Sequence, residues 1–134
     1  MIAAILSALM LMSSRSELPP DVWRCQNQVE VWCAVDGCAA KAEGETTPLD
    51  ISASPRDGRF SVCAYTGCWE GAGAVTENSG RLVWAAEDVP FTSGGGFAAS
   101  ITLLIIEQDG VGFVRVGGLA TPLLCLRAPP GVQG

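Results

Sequence analysis

The segment Cys33-Ala34-Val35-Asp36-Gly37-Cys38 returns later in the chain as Cys63-Ala64-Tyr65-Thr66-Gly67-Cys68. Both copies read Cys-Ala-x-x-Gly-Cys, and both follow a β-prone stretch, Val-Glu-Val-Trp over residues 29–32 and Phe-Ser-Val over residues 60–62. A hairpin loop of about four residues is usually built on a type I turn whose last residue takes positive φ. Gly37 and Gly67 occupy that slot, where the absence of a Cβ removes the steric cost. The flanking cysteines then face each other at a Cα separation of about 4.5–5.5 Å. That lies within the span of about 4.4–6.8 Å that a disulfide accepts. Local bridges Cys33–Cys38 and Cys63–Cys68 are therefore expected. Two alternatives stay open: pairing between the two hairpins, and an all-cysteine zinc site on paired knuckles.

Outward from the two clasps, the chain reads as short strands divided by turn signals. Residues 28–34 alternate, with Val29, Val31 and Cys33 on one face and Glu30 and Trp32 on the other. Leu49, Ile51 and Ala53 mark another alternating strand, followed by the turn Pro55-Arg56-Asp57-Gly58. Residues 59–64 enter the second clasp and 69–75 leave it. Residues 81–86, 111–116 and 119–126 add three more strands. Residues 101–106, Ile-Thr-Leu-Leu-Ile-Ile, are apolar on both faces and β-branched, which predicts a central strand or one covered on both sides. No window sustains a helical apolar period. The fold class is all-β, a small antiparallel barrel or sandwich of about eight to ten short strands stapled by disulfides. Cys25 opens this body and Cys125 closes it. First and last strands of a barrel are neighbours, so a Cys25–Cys125 bridge is expected to tie the ends.

Residues 2–12 form an apolar run too short to span a bilayer, which takes about 20 residues, and suited to the core of a secretory signal peptide. Ser14 and Ser16 supply the small residues a signal peptidase reads, so residues 1–16 are expected to be removed before Glu17. The domain is expected over residues 17–128, with a disordered tail at 129–134 after the Pro-Pro pair. The implied compartment is periplasmic or extracellular, where disulfides persist.

Eight Lys and Arg stand against fourteen Asp and Glu, a formal net charge of −6. An acidic chain without a basic cluster argues against nucleic-acid binding and against anionic membranes, and no stable membrane insertion is expected. Histidine is absent, which removes Ser-His and Cys-His nucleophile pairs and His-ligated metal. Lys41 is the single lysine. Thr92-Ser93-Gly94-Gly95-Gly96 lacks the Gly-Lys-Ser/Thr of a phosphate loop. The expected function is binding of a protein or small ligand, with no catalysis, cofactor or metal. Of the four tryptophans, two or three are expected in the core. Trp69, just past the second clasp, and Tyr65 and Thr66 at its tip are the candidate contact residues, because a pinned turn presents a rigid loop.

Ser52-Ala53-Ser54-Pro55-Arg56-Asp57-Gly58-Arg59-Phe60 resembles the Ser-x-Ser-Gly-x-basic-aromatic loop of the membrane-bound C-type lysozyme inhibitor family. Relative to that pattern, Pro-Arg-Asp is inserted and no lysine follows. The resemblance implies a small periplasmic β-barrel that inhibits lysozyme, with Ser54 and Arg59 in the inhibitory loop.

Overall fold

The computed structural model describes residues 22–92 and 97–128. The expected leader and its cleavage point, residues 93–96 of the glycine-rich loop and the tail at 129–134 lie outside the described residues. Eleven strands make up the described chain: β1 (Trp23–Gln26), β2 (Val31–Ala34), β3 (Gly37–Ala40), β4 (Asp50–Ala53), β5 (Arg59–Ala64), β6 (Gly67–Ala72), β7 (Ala74–Asn78), β8 (Arg81–Val89), β9 (Ala99–Ile106), β10 (Val111–Val116) and β11 (Leu119–Arg127). They join one sheet in the order β6-β5-β4-β1-β11-β10-β9-β8-β7, with the β2–β3 hairpin attached to β11.

The sheet is a nearly closed antiparallel barrel. Strands β6 and β7, the two ends of the order, are consecutive in the chain and change partner at Gly73, from β5 to β8. The backbone is crowded there: a Cβ on Gly73 would lie 2.6 Å from the Ala85 carbonyl oxygen. Gly58, at φ +75°, accepts from the Gly73 N–H, and its own Cβ would lie 2.3 Å from the Gly73 oxygen. Further along the seam Trp69 bridges to Phe91, and the Thr92 N–H donates to the Cys68 carbonyl at 2.8 Å. Inward side chains of all the long strands fill the interior, with Ile51, Val62, Trp84, Leu103, Ile105 and Val114 fully buried.

The three bridges are Cys25–Cys125, Cys33–Cys38 and Cys63–Cys68, each with Cα atoms 4.0 Å apart. Cys25 faces Cys125 in the β1–β11 register, so the longest bridge ties the first strand to the last inside the core. All six thiols are consumed, which leaves no thiolate for the zinc knuckles that the spacing also allowed. Gly37 and Gly67 do take positive φ, +146° and +153°, but as the first residues of β3 and β6 and not as the last residue of a four-residue loop.

Several sequence expectations need correction. The clasped turns are tighter than four residues, because Ala34 pairs with Gly37 and Ala64 with Gly67, leaving Val35-Asp36 and Tyr65-Thr66 at the tips. The residues leaving the second clasp form two strands, since the crowding at Gly73 forces a change of partner. Strands also outnumber the expected eight to ten, and the meander is interrupted: β4, not β2, lies beside β1. The double-sided strand β9 is central, but among the described residues no second layer covers it. Leu104 on its outer face is half-buried between its cross-strand neighbours Val83 and Phe113. Such outward cross-strand contacts keep apolar residues useful on both faces of a barrel wall.

Closing the long Cys25–Cys125 loop stabilises by about 4–5 kcal/mol in the chain-entropy model, against about 2 kcal/mol for a clasp. Urea denaturation is expected to rank the double variants accordingly: Cys25→Ala/Cys125→Ala loses more than twice what Cys33→Ala/Cys38→Ala loses.

Candidate functional site

Both clasped hairpins stand at the same end of the barrel, and an open cleft of about 1220 Å³ lies between them. The β2–β3 hairpin supplies Glu30, Trp32 and Lys41 to its walls, and the second clasp supplies Ala64, Thr66 and Trp69. Phe91 and Phe97 come from either side of the β8–β9 connection, while Arg115 and Leu119 come from the ends of β10 and β11 that flank their connecting turn. The floor is the end of the barrel core, represented by Leu49 and Val116.

Register explains why two tryptophans meet here. Trp32 precedes Cys33 on the inbound strand of one clasp, and Trp69 follows Cys68 on the outbound strand of the other. Trp69 is half-buried and packs on Phe91 with ring centroids 4.7 Å apart at 57°, a tilted geometry that suits aromatic quadrupoles. Its Nε1–H donates to the Phe97 carbonyl at 3.0 Å, which fixes the indole plane. Trp32 is 47% exposed and offers an uncovered ring face. The other two tryptophans, Trp23 and Trp84, belong to the core.

Trp32 is held by a buried carboxylate. Glu30 Oε2 accepts from Trp32 Nε1–H at 2.7 Å, and Oε1 accepts from the Thr47 N–H at 2.9 Å. Lys41 Nζ lies 3.7 Å from Oε2, with the Glu30 side chain only 5% exposed. Burial pushes the Glu30 carboxyl up, but the bonds from Trp32 and Thr47 and the charge on Lys41 outweigh it, so it lies below the ordinary carboxylate range. Desolvation loses because Trp32 and Lys41 are themselves about half exposed, so the carboxylate sits under one layer of side chains. Asn27 joins the same loop to the barrel: its Oδ1 accepts from the Leu49 N–H at 2.8 Å, and its Nδ2 donates to the Val29 and Thr47 carbonyls. Thr121 Oγ1 donates to the Val29 carbonyl at 2.7 Å, and the Cys33 N–H donates to the Gly118 carbonyl at 2.8 Å. These bonds seat the hairpin on β11.

The residues singled out from sequence fall into two places. Trp69 and Thr66 line the cleft, whereas Tyr65 is 80% exposed at the hairpin tip and outside its lining. Ser54 and Arg59 line a separate depression over β4, β5 and β6, with Ser52, Ser61 and Glu70. Ser54 is buried, its carbonyl accepts from Trp84 Nε1–H at 3.1 Å, and its hydroxyl is covered without a hydrogen bond of normal geometry. The Arg59 N–H, with help from the nearby Ser54 hydroxyl, holds the Asp57 carboxyl below its ordinary range. Arg59 extends into solvent with Nε 3.8 Å from Asp57 Oδ2.

Sequence reasoning did not single out Glu30 or Trp32 among the carboxylates and tryptophans, and it missed Phe91 and Phe97. The available signal was the matched placement of a tryptophan next to one cysteine of each repeat. The chain matches no protein-family model, no curated protein and no solved structure.

Because the folded-state pKa of Glu30 is depressed, its ionised form stabilises the fold above the unfolded value near 4.3, and that contribution is lost as pH falls through the lower folded value. Glu30→Gln sets an amide donor against one of two donors and is expected to cost about 1–3 kcal/mol at neutral pH. Acid titrations of stability below about pH 4.3 are expected to be shallower for the variant than for the parent chain.

Proposed function

We propose that this chain is an exported, non-catalytic binding module that takes a protein side chain or small ligand with a flat apolar face in the cleft between its clasped hairpins. The observation that carries this reading is the pair of indoles, Trp32 and Trp69, set across one open cleft and each fixed by a hydrogen bond and a neighbouring disulfide. Stacking platforms work when the ring is already oriented, because little side-chain entropy is then lost on binding. Arg115, Lys41 and Thr66 at the walls give polar partners to the edges of such a ligand. The combination of apolar faces with a few convergent polar groups is characteristic of ligand sites. Three disulfides in so short a chain fit an oxidising compartment, and among the described residues no helix is long and apolar enough to cross a membrane.

The lysozyme-inhibitor resemblance finds less support. Its loop exposes Arg56, Asp57 and Arg59, while the Ser54 hydroxyl is covered. Purified protein at micromolar concentration is expected to leave lysozyme-driven cell-wall lysis unchanged.

Indole fluorescence during titration with a panel of oligosaccharides and short aromatic peptides tests the cleft. A ligand that shifts the emission is expected to bind at least about tenfold more weakly to Trp69→Ala and to Trp32→Ala, the loss of one stacked ring being worth about 1–3 kcal/mol. A panel that shifts nothing, or binding indifferent to both changes, would count against the cleft.

A further inference from the structure

The β2–β3 hairpin ends in an open sheet edge. β3 pairs with β2 on one side, and among the described residues no strand pairs with its other side. Hydrogen-bond parity gives the direction of its free groups. The Cys33 N–H points away from β3 to the Gly118 carbonyl, so Cys33–Cys38 is a non-hydrogen-bonded pair, while Lys41 N–H donates inward to the Glu30 carbonyl at 2.8 Å. Alternation then directs the N–H and C=O of Cys38 and Ala40 outward, away from β2.

Natural sheets blunt such edges with lysine, proline, a bulge or a covering segment. Among the described residues Gly37-Cys38-Ala39-Ala40 carries none of these, and all four residues are exposed. Its shortness offers some protection, and the Cys33–Cys38 bridge counters it by holding the strand extended before anything docks. The small side chains let another backbone approach closely.

The surrounding charge selects the occupant. Asp36 stands at the hairpin tip and Glu43 and Glu45 follow the strand, all exposed, while the neighbouring cation Lys41 is engaged by Glu30. Two copies of β3 paired antiparallel would bring the Asp36 end of each against the Glu43 end of the other, an unfavourable like-charge arrangement. A basic segment meets no such repulsion. We propose that the outer edge of β3 binds an extended, lysine-bearing peptide by adding it to the sheet as a further strand. None of the four residues of β3 lines the ligand cleft, and the edge does not require the cleft to be occupied.

The probe is a fluorescein-labelled hexapeptide, Lys-Val-Lys-Thr-Val-Lys, followed by anisotropy with the oxidised protein. Saturable binding that weakens with added salt is expected. Ala40→Pro removes an outward N–H at a position where an edge strand tolerates proline, and is expected to weaken binding about tenfold or more. A peptide N-methylated at every internal residue, which removes the N–H donors on both of its edges, is expected not to bind. The exposed double charge reversal Asp36→Lys/Glu43→Lys is expected to weaken binding comparably without altering the backbone, which covers failure of the proline variant to fold. Trp69→Ala is expected to bind the peptide normally, so failure of the cleft reading and failure of this one are distinguishable. The proposal is overturned by absence of saturable binding, or by binding that survives Ala40→Pro and N-methylation. Loss in Trp69→Ala alone would place the peptide in the cleft. Self-association removed by Ala40→Pro would assign the edge to a second copy instead.

Discussion

The pairing of β1 with β11 around the buried Cys25–Cys125 bridge is the constraint on which the other features depend. β1 has only four residues and carries strands on both sides, β11 and β4. Without that central pair the sheet would separate into β1, β4, β5 and β6 on one side and β7–β11 on the other. The remaining connection would be the bend at Gly73 and the Trp69–Phe91 seam. A bridge that closes nearly the whole body removes unfolded-state freedom where the native pairing is shortest. The cleft inherits its shape from this closure, because its walls come from both halves.

The two local clasps act differently. They contribute little chain entropy, and what they add is orientation: each fixes a two-residue tip and the indole beside it. On the β2–β3 side, Glu30 extends this control by accepting from the indole and from the loop that returns to the barrel. A carboxylate that is nearly covered yet below its ordinary pKa is held there by donors aimed at it, so loss of its charge loosens the hairpin as well as the indole.

The fold was largely legible in the sequence for physical reasons that can be named. Strict alternation at Leu49, Ile51 and Ala53 and at Leu82 and Trp84 reports one-sided burial, and the strands there follow it. The repeated Cys-Ala-x-x-Gly-Cys encodes a turn whose glycine must accept positive φ, and both glycines do so. Closure at Cys25 and Cys125 followed from barrel topology. The break between β6 and β7 was hidden because Gly71-Ala72-Gly73-Ala74 gives no periodic signal and its cause, contact with Ala85 and Gly58, is long-range. The cleft was only half legible. Trp69 and Thr66 were visible from the second clasp, but Phe91 and Phe97 reach the site through tertiary placement. Glu30 alternates like an outward residue, and it is buried where Trp32, Lys41 and the loop carrying Thr47 meet it. The Ser54 loop illustrates the converse: its resemblance to an inhibitory loop implied a serine available for contact, yet Ser54 is buried and its carbonyl accepts from Trp84 in the wall.

Peptide mapping of the unreduced, alkylated protein tests the account most directly. Three cross-linked species are predicted, joining Cys25 to Cys125, Cys33 to Cys38 and Cys63 to Cys68, with no alkylated cysteine. A link from Cys33 or Cys38 to Cys63 or Cys68, or a free thiol at Cys25, would contradict both the barrel closure and the separate clasps that frame the cleft.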